Sequence, residues 1–562
     1  MNPDNPIIVQ SDRTVLLEVD HPLHAEARDA LARFAELEKS PEHIHTYRLS
    51  PLSLWNAAAG GMDAQNILDL LAHYSKYAIP PNIVTEIREY INRYGRIKLV
   101  RDGDALLLKT NDVALIAEVM RHKRTQPYIL RRLDQYTLQV DASRRGHIKQ
   151  ALIHIGFPAE DLAGYTDGSP LPMKLRTETF QPRGYQYAAS AAFYAGGAPG
   201  GGSGVVVLPC GAGKTIVGLV TMADIQRATL ILTPNTIAVR QWISELLDKT
   251  DLPPEMIGEY TGDRKTIAPV TISTYQILTY RRPGAEHIAE PGPEYFPHFS
   301  LFTSYDWGLI IYDEVHLLPA PVFRITAELQ ARRRLGLTAT LVREDGREAD
   351  VFSLIGPKKY DVPWRELERQ GWIATAECHE IRVGLTEDEQ LNYAMAELRE
   401  KYRIAAECPA KLAVTLHLVE RHHNDQILII GQYLDQLKIL ADELQAPLLT
   451  GRTSTAQREK LYEQFRRGEL KRLVVSKVAN FAIDLPDANV AIQVSGTFGS
   501  RQEEAQRLGR ILRPKADGGL AYFYSIVTRD TRDQEFSANR QLFLTEQGYR
   551  YVIEDAEELL AV

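Results

Sequence analysis

The sequence predicts an α/β protein built on two tandem, doubly wound parallel sheets. Short apolar or β-branched runs recur between about residues 205 and 338, separated by helix-like stretches: VVVLP, TLILTP, VTIST, GLIIYDE and RLGLTAT. A second series follows from about residue 426, with QILIIG, APLLTG, RLVVS, VAIQVSG and AYFYSIV. This alternation is typical of parallel strands joined by helical crossovers. No sequence repeat relates the two series, so the prediction of two sheets depends on the pattern alone.

Composition excludes several classes of protein. The chain has 562 residues, 44% of them hydrophobic and 25% charged, which is typical of a globular protein. This length predicts roughly three to four domains. No apolar run is long enough for a membrane span, and the first residues lack the basic flank and apolar core of a signal peptide, so we expect a cytoplasmic protein. The three scattered cysteines predict neither a disulfide framework nor a zinc cage.

Composition shifts along the chain predict five segments. A Gly-rich break, AGGAPGGGSG, precedes the first series of strands, and a helix-rich charged stretch separates the two series. The predicted segments are an N-terminal accessory module (1–120), a basic module (121–170), a first α/β lobe (171–365), a linker with a helical insert (366–415) and a second α/β lobe (416–562).

Residues 121 to 150 form a local surplus of positive charge on a chain whose formal net charge is -8. They hold eight lysines or arginines against two aspartates, among them Arg131, Arg132, Arg144 and Arg145. Because an acidic protein does not attract nucleic acid as a whole, any contact with phosphates must come from a patch of this kind. A solvated face of a small domain is the alternative interpretation.

The strongest local signal is LPCGAGKT, which lies between a predicted strand and a predicted helix. Backbone N–H groups of such a glycine-rich turn, together with the helix N-terminus, face a polyphosphate. Lys214 would neutralise β- and γ-phosphate charge, and the Thr215 hydroxyl would bind Mg²⁺. Leu208 stands where glycine usually begins the pattern. The predicted nucleotide-binding residues of the loop are Gly211, Ala212, Gly213, Lys214 and Thr215.

A pair of carboxylates, Asp313 and Glu314, follows an apolar strand about 100 residues later. The carboxyl end of a parallel strand lies in the crevice where such sheets bind ligands. Asp313 would hold Mg²⁺ through its water shell, and Glu314 would orient or deprotonate the attacking water.

The segment QRLGRILRP in the second lobe distinguishes a motor from other proteins with a phosphate loop. On a helix, Gln506, Arg510 and Arg513 share one face. Presented from a separate domain, these side chains would complete the nucleotide site only on domain closure, and such arginines raise hydrolysis rates by about 10³ to 10⁵. A surface arginine stripe is the alternative.

Two weaker features complete the predicted site. Arg183 and Gln186, in RGYQ, precede the phosphate loop at a place where an amide would read the adenine edge, although an ordinary helix start is an equal alternative. Thr338 and Thr340 follow a strand and carry two hydroxyls where the lobes would meet. They are a candidate link between nucleotide state and lobe orientation.

Taken in order, LPCGAGKT, DEVH, LGLTAT and QRLGR resemble the motifs of superfamily-two helicases. Longer segments, such as LGLTATLVREDG, LIGPKKYDVPW and SRQEEAQRLGRILRPK, are similar to the XPB family of DNA-repair and transcription-factor helicases over about residues 170 to 553. The resemblance implies RecA-like lobes, ATP and Mg²⁺ as cofactors, a thumb around residues 385 to 408 and a damage-recognition-like module at residues 121 to 165. It also implies an ATP-dependent DNA helicase or translocase with 3′ to 5′ polarity, acting in nucleotide excision repair at the nucleoid.

The resemblance further implies contacts with duplex and single-stranded DNA. The family's RED motif, thought to lie at the strand junction, corresponds to Arg343, Glu344 and Asp345. Residues at motif positions that contact the DNA backbone are Asn235, Gln241, Thr274 and Ser476. Because these contacts go to phosphates and sugars, we expect no preference for base sequence.

One segment departs from the family pattern: Ala479, Asn480, Phe481 and Ala482 stand where eukaryotic members carry Gly-Asp and a small hydroxyl residue. Because this segment couples DNA to the ATP site in the family, two alternatives stay open. One is an ATP-switched DNA-binding scaffold that recruits a nuclease, and the other is a duplex translocase that does not separate strands. The intact Glu314 and the predicted arginines argue against the scaffold, since a switch needs no complete hydrolytic set.

Overall fold

In the part of the chain that the computed structural model describes, the strands form four β-sheets, and the last two of these are fully parallel. The fold class predicted from the sequence, α/β with two tandem parallel-sheet lobes, is therefore confirmed. The described residues are 2–40, 43–198, 200–209, 211–281, 295–330, 332–339, 348–362, 367, 370, 376–476, 488–496, 520–546 and 550–561.

The N-terminal module, residues 7–93, is an antiparallel sheet of order β1-β2-β4-β3 packed with helices. Its strands are β1 Ile7–Val9, β2 Thr14–Glu18, β3 Glu36–Lys39 and β4 Ile44–Arg48. Its helices are His24–Leu31, Pro51–Ala59, Ala64–Tyr74 and Pro81–Arg93. Capping boxes at Ser50 and Asp63 begin two of these helices, because their side-chain oxygens accept N–H groups of the first turn.

The mixed-sheet module, residues 97–162, has the strand order β7-β8-β6-β5-β9, and only the β5–β9 pair is parallel. Its strands are β5 Ile97–Asp102, β6 Ala105–Lys109, β7 Ile129–Arg132, β8 Thr137–Val140 and β9 Ala159–Leu162. Its helices are Val113–Arg121 and Arg145–His154. The boundary predicted at residue 120 falls inside this module, because strands from both sides of it share one sheet.

The first lobe has the order β12-β13-β11-β14-β15-β10-β16. Its strands are β10 Ser203–Val207, β11 Thr229–Thr233, β12 Ile257–Tyr260, β13 Val270–Thr274, β14 Leu309–Asp313, β15 Arg333–Thr338 and β16 Lys358–Asp361. Its α-helices include Gly184–Tyr194, Lys214–Ile225, Thr236–Lys249, Tyr275–Leu278 and Ala320–Glu328. Successive strand residues point to opposite faces of the sheet: Ile311 lies in one core layer and Tyr312 in the other. Both faces of the sheet are therefore buried.

The second lobe has the order β19-β20-β18-β21-β22-β17-β23. Its strands are β17 Ala376–Val383, β18 Ile427–Gly431, β19 Leu448–Leu449, β20 Arg472–Ser476, β21 Val490–Gln493, β22 Ala521–Thr528 and β23 Arg550–Asp555. Its helices include Ala410–Arg421, Leu434–Glu443, Thr455–Arg466, Arg532–Glu546 and Ala556–Ala561. Strand β17 lies within the predicted linker but pairs with β22 and β23, so it belongs to this sheet.

Two helices, Glu387–Met395 and Leu398–Ala406, stand between β17 and β18 at the place of the expected thumb. The first begins with a capping box between Thr386 and Glu389. Its apolar residues are unusually exposed: Leu391 is 62% and Met395 80% accessible. The two helices lie within the segment for which a helical insert is predicted, and their role as a thumb stays a prediction.

The described residues include no helix that is both long and apolar enough to cross a membrane. Cys378 and Cys408 are buried, and Cys210 lies outside the described residues.

Candidate functional site

The phosphate loop leads from β10 into the helix Lys214–Ile225, as the sequence predicts. Gly211 and Gly213 have φ angles of 80° and 78°, a left-handed conformation that glycine adopts without the steric cost of a side chain. A methyl group on Gly213 would lie 2.5 Å from Gln186 Nε2. Both positions therefore favour glycine for its backbone conformation, and Gly213 also leaves room for the Gln186 side chain.

Two side chains of the segment RGYQ bind the backbone of the phosphate loop. Tyr185 OH and Gln186 Nε2 both donate to the carbonyl oxygen of Ala212, over 2.6 and 3.1 Å. Gln186 Oε1 accepts from the backbone N–H of Arg183 over 2.8 Å, so this amide also caps the helix Gly184–Tyr194. Reading of adenine by Arg183 and Gln186 stays a prediction, and Tyr185 is a residue that the sequence analysis missed.

Lys214 and Glu314 form an ion pair across the site, with Lys214 Nζ 3.0 Å from Glu314 Oε1. Glu314 has φ 48° and ψ 57°, a left-handed conformation that costs a non-glycine residue about 1–2 kcal/mol. Burial acts to raise the pKa of the Glu314 carboxyl, but Lys214 and His316 outweigh it, so this pKa lies below its ordinary value. Glu314 is therefore an ionised carboxylate held against the phosphate-loop lysine.

Asp313 ends β14 and is held by two aromatic side chains. Trp242 Nε1 donates to Asp313 Oδ2 over 2.9 Å, and Tyr275 OH donates to the Asp313 carbonyl oxygen over 2.8 Å. Burial and the adjacent Glu314 carboxylate raise the pKa of Asp313 to about 6. Sequence reasoning missed both aromatic residues, although each directly follows a predicted DNA-contact residue.

The end of β15 is joined to the DEVH segment by one short hydrogen bond. His316 Nδ1 lies 2.6 Å from the hydroxyl oxygen of Thr338, which is fully buried, and 3.5 Å from Glu314 Oε2. The predicted link between Thr338 and the nucleotide site is consistent with this contact. Thr340 lies outside the described residues.

Three of the four predicted DNA-backbone residues, Asn235, Thr274 and Ser476, lie at or just beyond the carboxyl ends of parallel strands. Asn235 Oδ1 accepts from the N–H of Ala238 over 2.9 Å, and Thr274 Oγ1 accepts from that of Ile277 over 3.3 Å, so both begin helices. Gln241 is exposed in the second turn of the helix Thr236–Lys249. Thr274 and Ser476, which ends β20 in the second lobe, are both buried. DNA contacts by these four residues stay predictions.

Several predicted residues lie outside the part of the chain that the structure describes. They are Arg343, Glu344, Asp345, the segment 479–482, Gln506, Arg510 and Arg513.

The basic patch divides into exposed and buried arginines. Arg131, Arg132 and Arg144 are exposed, as a phosphate-contacting surface requires. Arg145 is only 3% accessible and donates to both oxygens of Asp161. The prediction that Arg145 contacts DNA is therefore wrong, because its guanidinium is buried in an ion pair with Asp161.

Family models match three parts of the chain. Residues 367–560 match the ERCC3/RAD25/XPB C-terminal helicase model, and residues 179–343 match the model of the type III restriction enzyme res subunit. Residues 7–134 match a model described as a helicase conserved C-terminal domain.

Named relatives extend this similarity over the whole chain. The DNA 3′-5′ helicase XPB of Mycobacterium tuberculosis is 57% identical over 558 residues, covering 99% of both chains. That of Kineococcus radiotolerans is 54% identical, covering 99% of this chain and 97% of its own. The general transcription and DNA repair factor IIH helicase/translocase subunit XPB of Enterocytozoon bieneusi is 32% identical, covering 98% and 92%. Together with the phosphate loop and its paired carboxylates, these matches show that the chain belongs to the XPB family of helicases.

Proposed function

We propose that this protein is an ATP-dependent DNA 3′-5′ helicase of the XPB type, which unwinds or remodels duplex DNA in nucleotide excision repair. The observation that carries the proposal is the pairing of Lys214 with Glu314 beside Asp313. A phosphate-binding lysine, a water-orienting carboxylate and a metal-binding carboxylate are the parts that NTP hydrolysis requires. The names of the bacterial relatives support DNA and the 3′-5′ polarity, and that of the eukaryotic relative supports repair.

The residues at this site fit a magnesium ion. Asp313 and Glu314 are adjacent, largely buried carboxylates, and hard oxygen ligands of this kind suit Mg²⁺. We assign Asp313 and the hydroxyl of Thr215 to hold the ion. When bound, Mg²⁺ neutralises the charge that develops on the β- and γ-phosphate oxygens.

In this mechanism, ATP replaces an internal ion pair. The γ-phosphate competes with Glu314 for the Lys214 ammonium, which the structure shows bound to that carboxylate. Once Lys214 binds phosphate, Glu314 is free to accept a hydrogen bond from the attacking water. The ion pair therefore keeps both groups ordered, and Glu314 orients water only when phosphate has displaced it from Lys214.

Residues of the second lobe and residues that contact DNA complete the proposed motor. Gln506, Arg510 and Arg513 act on the γ-phosphate on lobe closure, while Arg183 and Gln186 lie near the adenine. The proposed DNA contacts are Arg343, Glu344, Asp345, Asn235, Gln241, Thr274 and Ser476, with Arg131, Arg132 and Arg144 on the mixed-sheet module. The helices between β17 and β18 act as the thumb. A repair role further implies a nuclease that cuts the opened DNA and a place at the nucleoid in the cytoplasm.

Lys214→Ala and Glu314→Gln test this assignment. Each is expected to abolish DNA-stimulated ATP hydrolysis, measured by phosphate release, while the circular dichroism spectrum stays unchanged. Lys249→Ala and Glu245→Gln are matched controls, because these residues form an ion pair of 2.9 Å on a surface helix of the same lobe. Retained turnover in either site variant would refute the proposal. Weak hydrolysis in the unaltered protein, with DNA binding that depends on nucleotide, would favour an ATP-switched scaffold.

A further inference from the structure

Aromatic donors hold Asp313 from both faces of the first-lobe sheet. Trp242 belongs to the core layer beneath the phosphate-loop helix, and Tyr275 belongs to the opposite layer. Their polar atoms meet at one residue, since Trp242 Nε1 binds the Asp313 carboxylate and Tyr275 OH binds its carbonyl oxygen. Both side chains are buried, at 1% and 3% accessibility. Asp313 is therefore fixed at its side chain and at its backbone by separate elements.

The Trp242 ring packs closely against the phosphate-loop helix. A methyl group on Gly218 would lie only 2.4 Å from Trp242 Cη2, so the outer edge of the indole lies against the helix Lys214–Ile225 at a position where only glycine leaves room. This helix begins with the phosphate-binding lysine. Any rotation of the helix Thr236–Lys249, which carries Trp242, must therefore displace the Asp313 carboxylate or the phosphate-loop helix.

Each aromatic residue directly follows a proposed DNA contact. Trp242 follows Gln241, which is exposed on the helix Thr236–Lys249. Tyr275 follows Thr274, whose hydroxyl accepts from Ile277 N–H at the start of the next helix. On the helix Thr236–Lys249, Gln241 therefore faces solvent while Trp242 binds Asp313. Thr274 is buried, at 3% accessibility, and its neighbour Tyr275 binds the backbone of Asp313.

We propose that Trp242 and Tyr275 are positioning residues that couple DNA contacts at Gln241 and Thr274 to the placement of Asp313. The inference rests on the proposed function, because it takes those two residues as contacts with DNA. Binding of a strand moves the two segments, and the hydrogen bonds pass that movement to the carboxylate and to the backbone of Asp313, the residue that would hold Mg²⁺. By thermodynamic linkage, Mg²⁺-nucleotide must then change DNA affinity by the same factor by which DNA changes nucleotide affinity.

Trp242→Phe and Tyr275→Phe test the inference, since each removes a donor and keeps an aromatic ring. The measurement is the affinity of a fluorescent 3′-tailed duplex, by anisotropy, with and without Mg²⁺ and a non-hydrolysable ATP analogue. The ratio of the two affinities is the coupling factor, and we expect each variant to reduce it about fivefold. Nucleotide affinity with Mg²⁺, divided by that with EDTA, should fall in Trp242→Phe, because the donor to the metal-binding carboxylate is lost.

Matched controls separate coupling from stability. Trp307 Nε1 donates to the Leu301 carbonyl oxygen over 3.0 Å, and the Tyr312 hydroxyl lies 3.1 Å from Thr326 Oγ1, and both residues are fully buried in the same lobe. Trp307→Phe and Tyr312→Phe remove comparable hydrogen bonds, neither of which is made to Asp313, so they should keep the original coupling factor.

A coupling factor that stays at its original value in either site variant overturns the role of that residue. The same reduction in the controls also overturns the inference, since it would show a general loss of stability. If the unaltered protein shows no effect of nucleotide on DNA affinity, the proposed motor function itself fails. Should Trp242→Phe melt below the assay temperature, Tyr275→Phe, which removes a single oxygen atom, decides the outcome.

Discussion

Replacing Arg145 with alanine is expected to loosen the junction between the mixed-sheet module and the first lobe. Arg145 donates to both oxygens of Asp161 and to the Gly164 carbonyl oxygen, and its guanidinium lies 5.3 Å from the centre of the Tyr165 ring. Lys149 joins this pair to the lobe, with Nζ 3.0 Å from both Asp161 Oδ2 and Gln330 Oε1. The charge network therefore forms part of the interface.

The magnitude follows from what the substitution leaves behind. Removing one partner of a buried ion pair costs about 3–5 kcal/mol, because the other charge stays buried. Lys149 still faces Asp161 after the change, so we expect a value near the lower end, about 3 kcal/mol. Such a loss lowers protection from amide hydrogen exchange by about 100-fold where the segment opens locally.

Hydrogen exchange followed by mass spectrometry measures this loss directly in the helix Arg145–His154. Arg144→Ala is the matched control, because Arg144 is the preceding residue but is exposed. We expect Arg144→Ala to leave exchange unchanged and to weaken DNA binding. Equal protection in the two variants would refute the structural role of Arg145, and so would a loss of DNA affinity confined to Arg145→Ala.

Three further substitutions or conditions have defined outcomes. Gly213→Ala should weaken nucleotide binding at least tenfold in a titration, because φ is 78° and the methyl group would meet a glutamine amide, whereas Gly184→Ala, with nothing within 4 Å, should not. Burial lowers the pKa of His45 to about 4. The stability that neutral His45 contributes is therefore fully present above pH 6.5 and is lost as the pH falls towards 4. The loss reaches up to about 3 kcal/mol, and acid unfolding of a His45→Asn variant should lack it. Replacing Arg131 and Arg132 with alanine should reduce the slope of log affinity against log salt concentration by about 1.8. An unchanged slope would show that the patch is a solvated face that does not contact phosphates.

The parallel sheets were predictable because their strands are continuous apolar runs between turn-forming residues. Strand β17 escaped prediction because AECHEIRV contains the polar residues Glu377, His379, Glu380 and Arg382 and so lacks the continuous apolar run of the other strands, although it pairs with β22 and β23. The sheet of the mixed-sheet module was divided at residue 120 for a related reason. Its five strands are short and mostly antiparallel, so no local signal shows that β5 pairs with β9 about 60 residues later.

The juxtaposition at the proposed nucleotide site was predictable where a local pattern determines it, as for the phosphate loop and the Asp313-Glu314 pair. Contacts between distant segments were not predictable, because the sequence alone does not show which side chains lie together in the fold. Trp242 and Tyr275 therefore went unnoticed, although both bind Asp313. Arg145 was misassigned for the converse reason, since a run of positive charge hides which member is paired inside the fold.

Strand displacement is the most direct test of the central claim that this protein is an ATP-driven 3′-5′ helicase. Duplexes with a 3′ or a 5′ single-stranded tail are compared on one preparation, beside its DNA-stimulated ATP hydrolysis. We predict ATP-dependent displacement on the 3′-tailed duplex, none on the 5′-tailed duplex, and none with Lys214→Ala. DNA-dependent hydrolysis without displacement on either substrate would contradict the helicase assignment and indicate a duplex translocase.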